Sequence, residues 1–313
     1  TEDEDVTEEE DVTEDEDVTE EEDVTEDKDA TEDEDATEDE DATEDEEDED
    51  DMEVDPDAIG GGSVQDRFGY AVLQKPIEAL NIVYPYTETD IMDDYTTLVG
   101  SNGLNRVMKH KIEGIPPRKR DYEYREGMPR VFSPSEIGKY SAKIKSICDH
   151  IMNSKGVVLI YSQYIDGGVV PVALALEEMG FIRRGNKNNL FKYTQDNHVL
   201  DLNTYESGPR TKTTVPARYV MITGTDTLSP NNVDDLKAVT DPDNKNGEKV
   251  KVVIISQTGA EGLDFKFIRQ VHVLEPWYNM NRIEQIIGRA VRNCSHKALP
   301  FEERNVEIYL HGS

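Results

Sequence analysis

The chain has 313 residues, with 69 Asp plus Glu against 33 Lys plus Arg and a formal charge of −36. Its two cysteines, Cys148 and Cys294, are far apart and lack metal-ligand spacing, which excludes a disulfide framework and points to a reducing, intracellular setting. No apolar run reaches the ~18 residues of a membrane span and no signal peptide is visible, so no membrane partner is expected.

The acidity is confined to one end. Residues 1–42 are seven hexads of the types TEDEDV, TEEEDV, TEDKDA and TEDEDA, and residues 1–57 hold 38 of the acidic residues against one lysine. The remainder has 31 acidic and 32 basic residues and is close to neutral. One Val or Ala in six residues buries too little apolar surface to offset the entropy of ordering, and the like charges repel, so a disordered, extended segment is expected over 1–57. Its plain role is a solvated spacer; the alternative is a polyanion that mimics nucleic acid or recruits basic proteins.

After Gly60-Gly61-Gly62, residues 58–132 are weakly patterned and read as an irregular arm or linker: "EALNIVYPY" as a strand ended by Pro85, "PPRKRDYEYREGMPR" as a polar connector. From Ser133 the pattern sharpens. "SPSEIGKYSAKIKSICDHIMNS" places Ile137, Tyr140, Ile144, Ile147 and Ile151 at spacings of three and four, an amphipathic helix. "GVVLIYS" follows as a continuous apolar strand, then "VVPVALALEEMGF" as helix, "RYVMITG" as strand, "NNVDDLKAV" as helix, and "VKVVIIS" and "QVHVLEP" as strands. "RIEQIIGRAVR" as helix and "NVEIYLHG" as strand complete the series. Strands alternating with helices make βαβ units, so residues 133–313 are predicted to form an α/β, doubly wound parallel sheet, cut short at its C-terminal end. The polar stretch 183–216 reads as a loop insertion.

In such a sheet, ligands gather at the carboxyl ends of the strands. The loops there carry Tyr161-Ser162-Gln163-Tyr164, then Ser256 to Phe265 (SQTGAEGLDF), then Glu275-Pro276-Trp277-Tyr278-Asn279, which leads into a helix with Gln285, Gly288, Arg289 and Arg292. Hydroxyls, amides, small residues, a carboxylate and two guanidiniums converge on one edge. That set suits phosphates and a ribose: N–H and hydroxyl groups bind phosphate oxygens, a carboxylate accepts from ribose hydroxyls, and arginines take phosphoryl charge. Taken singly, each is ordinary: paired helical arginines are often solvated surface, and a glycine after a strand is often turn geometry.

Their order resembles the second RecA-like domain of superfamily 2 helicases over roughly residues 133–313. "YSQY" looks like motif IV, "SQTGAEGLDF" like motif V, and "QIIGRAVR" fits the Q-x-x-G-R-x-x-R pattern of motif VI. "LEPWYNMNRIEQIIGRAVRNCSH" resembles the branch found in large nucleocytoplasmic DNA viruses, with poxvirus early-transcription-factor and transcript-release ATPases as relatives. The resemblance implies an ATP-dependent helicase or translocase in viral transcription or genome processing, located in the virion or a virus factory. It implies that Gly262 and Asp264 face the nucleotide ribose, that Gln285 and Gly288 lie at the nucleotide, and that Arg289 and Arg292 reach the γ-phosphate as catalytic groups. Ser162, Gln163, Ser256 and Thr258 would contact the DNA or RNA strand. The chain contains no G-x-x-x-x-G-K-[ST] loop, so ATP and Mg²⁺ would be held mainly by an N-terminal RecA-like domain encoded upstream, and this segment alone would be inactive. The alternative is a non-catalytic nucleic-acid or protein-binding module with an acidic recruiting tail. Cys294 and His296 read as structural, since no further ligand lies at metal spacing, and Trp277 beside Pro276 reads as packing.

Overall fold

The computed structural model describes residues 70–87, 90, 94–113, 119–185, 189–192, 198–260, 263–276 and 280–312. The acidic hexads, the triple glycine, Gly262 and Trp277 lie outside the described residues. The chain begins with α1 (Tyr70–Asn81), a 3-10 turn at Tyr95–Leu98 and α2 (Gly100–Val107). An antiparallel hairpin of β1 (Met108–Glu113) and β2 (Lys119–Tyr124) follows, in register from Met108↔Tyr124 to Glu113↔Lys119. Next come α3 (Ile137–Tyr140), α4 (Ala142–Met152), β3 (Val157–Tyr161), a π turn at Ile165–Val169, α5 (Val170–Glu178) and β4 (Ile182–Arg183). A small antiparallel pair, β5 (His198–Leu200) and β6 (Ser207–Pro209), precedes β7 (Arg218–Ile222), α6 (Asn232–Thr240) and β8 (Val252–Ile255). β9 (Ile268–Val273), α7 (Met280–Ala290) and β10 (Glu307–Leu310) complete the order.

Six strands form one sheet in the order β10-β9-β3-β8-β7-β4, and every pairing is parallel. This is the predicted RecA-like α/β sheet. Its apolar runs are continuous because both faces are covered, so β3, β8 and β9 are buried along their whole length. Alternate residues of β3 feed different layers. Val158 and Ile160 pack with Ile144, Ile147, Ala173 and Leu176, whereas Val157, Leu159 and Tyr161 pack with Val239, Ile283 and Ile286. From β3 the chain crosses to β4 at one edge and returns through β7 and β8, then continues to β9 on the other flank of β3. The reversal of direction falls beside β3, where a doubly wound sheet opens a crevice.

Three local expectations change. "EALN" is the last turn of α1 rather than a strand: Gln74 Nε2 and Lys75 Nζ donate to the Glu78 carboxylate at 3.2 and 3.1 Å, the i,i+4 and i,i+3 pairs that support a helix. The single helix expected from Ser133 is two, because Ser141 adopts an extended conformation and caps α4, its Oγ accepting from Ile144 N at 3.0 Å. The insertion at 183–216 carries the β5–β6 pair and buries Leu190, Phe191, Leu200 and Leu202 in the main core. The segment ahead of Ser133 also reaches that core: Ile82, Tyr84, Leu104, Val107, Met108 and Tyr122 join the cluster that contains Val158 and Ile160.

Candidate nucleotide and strand site

Backbone hydrogen bonds hold the strand-end loops together. Ser162 N donates to Ile255 O, Leu274 N to Tyr161 O and Ser256 N to Ile222 O, at 3.0–3.2 Å. The loops after β3, β7, β8 and β9 therefore lie along one carboxyl edge.

The helix α7 is split into two stripes by its period. Ile283, Ile286 and Ala290 are buried in the core, and the residues at the opposite phase, Gln285, Gly288 and Arg289, line an open cleft with Leu263, Asp264 and Arg292; the helix expected to run through Arg292 ends at Ala290, so Arg292 reaches the cleft from two residues beyond it. The structure thus brings together all the described residues nominated for the nucleotide, Asp264, Gln285, Gly288, Arg289 and Arg292; Gly262 falls outside the described residues. Both arginines engage the facing segment. Arg289 Nη1 donates to Leu263 O at 3.1 Å, and Arg292 forms an ion pair with Asp264 in which both side chains are more than half exposed. A cleft with an exposed planar cation, a carboxylate acceptor paired with it and a glycine that leaves room at the helix surface has the chemistry to hold a ribose and a phosphoryl group.

The residues nominated for the strand separate into two kinds. Gln163 is half-buried and Thr258 exposed, whereas Ser162 and Ser256 are buried. Ser256 Oγ accepts from Gly259 N at 3.1 Å and so caps the 3-10 turn Thr258–Ala260. That turn packs tightly on the end of β7: a Cβ on Gly259 would lie 2.0 Å from Ile222 O, and one on Gly224 would lie 2.6 Å from Thr258 Cγ2. Ser162 Oγ donates to Glu275 Oε1 at 2.7 Å, and Gln163 N donates to the same oxygen at 2.5 Å.

Glu275, which carried no role in the sequence, is the centre of a buried network. Its second oxygen accepts from Asn81 Nδ2 at 3.2 Å. Lys143 Nζ donates to Asn81 Oδ1 at 3.3 Å and to Leu274 O at 3.1 Å. Burial pushes the Glu275 carboxyl up to about 7, against the opposing pull of its hydrogen bonds and of Lys143; burial likewise pushes Lys143 downward. The available signal in the sequence was a lone Glu closing an apolar strand. Its partners, Asn81 and Lys143, come from helices with no motif. At the far end of the domain, His296 is structural, its ring nitrogens 2.6 Å from Ile268 O and 2.8 Å from Ser295 Oγ.

A six-stranded parallel sheet with arginines at its carboxyl edge is the RecA-like α/β architecture expected from the sequence. Residues 142–294 match the family model of the helicase conserved C-terminal domain, and this segment of the chain belongs to that family. A mimivirus protein described as an ATP-dependent RNA helicase is 48% identical over 256 residues, covering 73% of this chain and 28% of its own length. The termination factor NPH-I homolog of African swine fever virus is 34% identical over 204 residues, 62% of this chain and 29% of that one. Nucleoside triphosphatase I of Amsacta moorei entomopoxvirus is 46% identical over 65 residues, 21% of this chain and 10% of that one. The chain spans less than a third of the length of each of these relatives. No helix among the described residues is long and apolar enough to cross a membrane.

Proposed function

We propose that this chain is the C-terminal motor half of an ATP-dependent superfamily 2 helicase or translocase that acts on DNA or RNA in viral transcription or genome processing. One observation carries this reading: Asp264, Gln285, Gly288, Arg289 and Arg292, nominated through the resemblance to helicase motifs V and VI, line a single cleft. In this reading a first RecA-like domain binds ATP and Mg²⁺, and this domain closes on it. Asp264 accepts from the ribose, while Gln285 and Gly288 lie against the nucleotide. Arg292 and Arg289 swing from Asp264 and Leu263 O to the γ-phosphate, where planar guanidiniums offset charge as the phosphoryl group transfers. Thr258 and the Gln163 loop face the strand, so closure driven by ATP shifts the grip on nucleic acid. Residues 1–57 act as a polyanionic spacer or recruit basic proteins.

Phosphate release from ATP and Mg²⁺, with and without single-stranded DNA or RNA, tests the proposal. The full-length protein that carries this chain should hydrolyse ATP faster with nucleic acid, and residues 1–313 alone should stay at background. Robust turnover by the isolated chain, abolished by Arg292→Ala, would overturn the half-motor reading. Strand binding without any hydrolysis by the full-length protein would favour a non-catalytic binding module.

A further inference from the structure

The contact between the two functional faces is a buried carboxylate. Glu275 lies two residues beyond β9, and α7, which carries Gln285 and Arg289 and is followed by Arg292, begins five residues later at Met280. Its Oε1 holds the β3–α5 loop through Ser162 Oγ and Gln163 N. Its Oε2 holds Asn81, whose own amide also donates to Gly167 O at 3.2 Å on the far side of that loop. Gly168 makes the approach possible, since a Cβ there would lie 1.9 Å from Ser162 Oγ. Both carboxylate oxygens are thus committed, one to the Ser162–Gln163 loop and the other to Asn81 at the end of α1.

We infer that Glu275 is the positioning residue that couples the strand-facing loop at Ser162–Gln163 to the arginine helix, so that engagement of nucleic acid is transmitted to the nucleotide cleft through this carboxylate. The inference rests on the proposed function above. It assigns Glu275 no contact with ATP or nucleic acid. A displacement of the loop by a bound strand moves two donors on one oxygen, and a fully committed buried carboxylate must follow or leave those donors unpaired. Glu275 lies five residues before the first residue of α7, so a movement of Glu275 is passed along the chain toward the helix start. A lone packing residue would carry no such directional demand.

The test uses the full-length protein and three readouts: ATPase without strand, ATPase with saturating single strand, and the thermal unfolding midpoint. Glu275→Gln keeps the shape, but its amide nitrogen cannot accept from Asn81 Nδ2, so the two-sided clamp is lost. The expected result is an unchanged unstimulated rate and a modestly lowered midpoint, with the stimulation ratio reduced by about 5- to 150-fold, the range of ordinary site–site coupling. Asn81→Ala, which removes the clamp from the opposite side, should shift the ratio in the same direction and decides the matter if Glu275→Gln does not fold. A preserved ratio in a folded variant would overturn the coupling role. So would an equal fall in both rates together with the midpoint, the signature of a residue that merely stabilises the fold. A parental protein with no strand-stimulated ATPase would instead sink the proposed function, and this inference with it.

Discussion

Replacing Arg292 with alanine separates a structural from a catalytic role because the two predict magnitudes far apart. In the structure Arg292 makes one ion pair, with Asp264, and both partners are largely in water. Such pairs are worth about 0–1 kcal/mol. For a folded unit of this size that loss lowers the melting temperature by at most about 2–4 °C and leaves the folded fraction at assay temperature essentially intact. If the guanidinium acts on the transferring phosphoryl group, its removal costs about 10³ to 10⁵ in rate, the scale of arginine fingers. Strand-stimulated phosphate release by the full-length Arg292→Ala protein should therefore fall by at least about a hundredfold, or ~2.7 kcal/mol in barrier, which the stability loss cannot supply. Lysine should rescue poorly, because a point charge does not reproduce the planar fork. Strand affinity without nucleotide should be unchanged, as Thr258 and the Gln163 loop lie on other elements. Near-parental turnover with weakened strand affinity would refute the assignment and make Arg292 a phosphate-backbone contact.

Asp264→Asn should raise KM for ATP more than it lowers kcat, as expected for a ribose contact made equally in the ground and transition states, and a pure kcat defect in steady-state kinetics would contradict it. Deleting residues 1–57 should leave the thermal midpoint of the remainder unchanged and tighten strand binding at low salt, the gain fading as salt rises in an anisotropy titration; a large drop in midpoint would show that the repeat packs on the domain. The buried imidazoles beside β10 should set an acid limit on stability. His272 Nδ1 lies 3.0 Å from His311 Nε2, and burial followed by neighbouring charges pushes His272 down to about 3 and His311 to about 4. An unfolded imidazole titrates near 6.5, so the unfolded chain takes up these protons first. The contribution is fully present above about pH 6.5 and is lost as pH falls toward 4 and 3, by about 1.4 kcal/mol per unit for each imidazole. In urea melts across pH, His272→Gln should show a shallower acid limb than the parent; an identical limb would refute the assignment.

The sheet was legible because its signal is coarse: uninterrupted Val and Ile runs mark strands covered on both faces, and a 3.6-residue period marks α7 and α4. The cleft was legible because the resemblance to motif VI picks out Gln285, Gly288 and Arg289 on one stripe of α7 and Arg292 just after it, while motif V supplies the facing segment with Asp264. What failed was legibility at the level of partners far apart in sequence. A more local miss is "EALN", read as the start of a strand because "IVY" after it is β-rich, whereas the i,i+3 and i,i+4 contacts of Glu78 hold it in the last turn of α1. The helix break at Ser141 is invisible in a periodic pattern that continues across it. The Glu275 network joins residues 194 positions apart, from Asn81 to Glu275, and no local pattern encodes such a pair.

Ser256 and Ser162 show a subtler limit. A small hydroxyl after a parallel strand suits two tasks equally in residue type: donating to a phosphate oxygen, or satisfying an orphan N–H where the chain turns out of the sheet. In the structure both hydroxyls do the second, Ser256 Oγ accepting from Gly259 N and Ser162 Oγ from Tyr164 N, while Ser162 Oγ also donates to Glu275. A buried hydroxyl already committed in this way cannot reach a strand without giving up its partner, which costs about as much as the new contact returns. Under the proposed function the contact role falls to what these serines position: the exposed Thr258, held in its turn by Ser256, and the half-buried Gln163, whose N–H is fixed by Glu275. On this view the motif serines set where the edge of the site lies, and their neighbours make the contact.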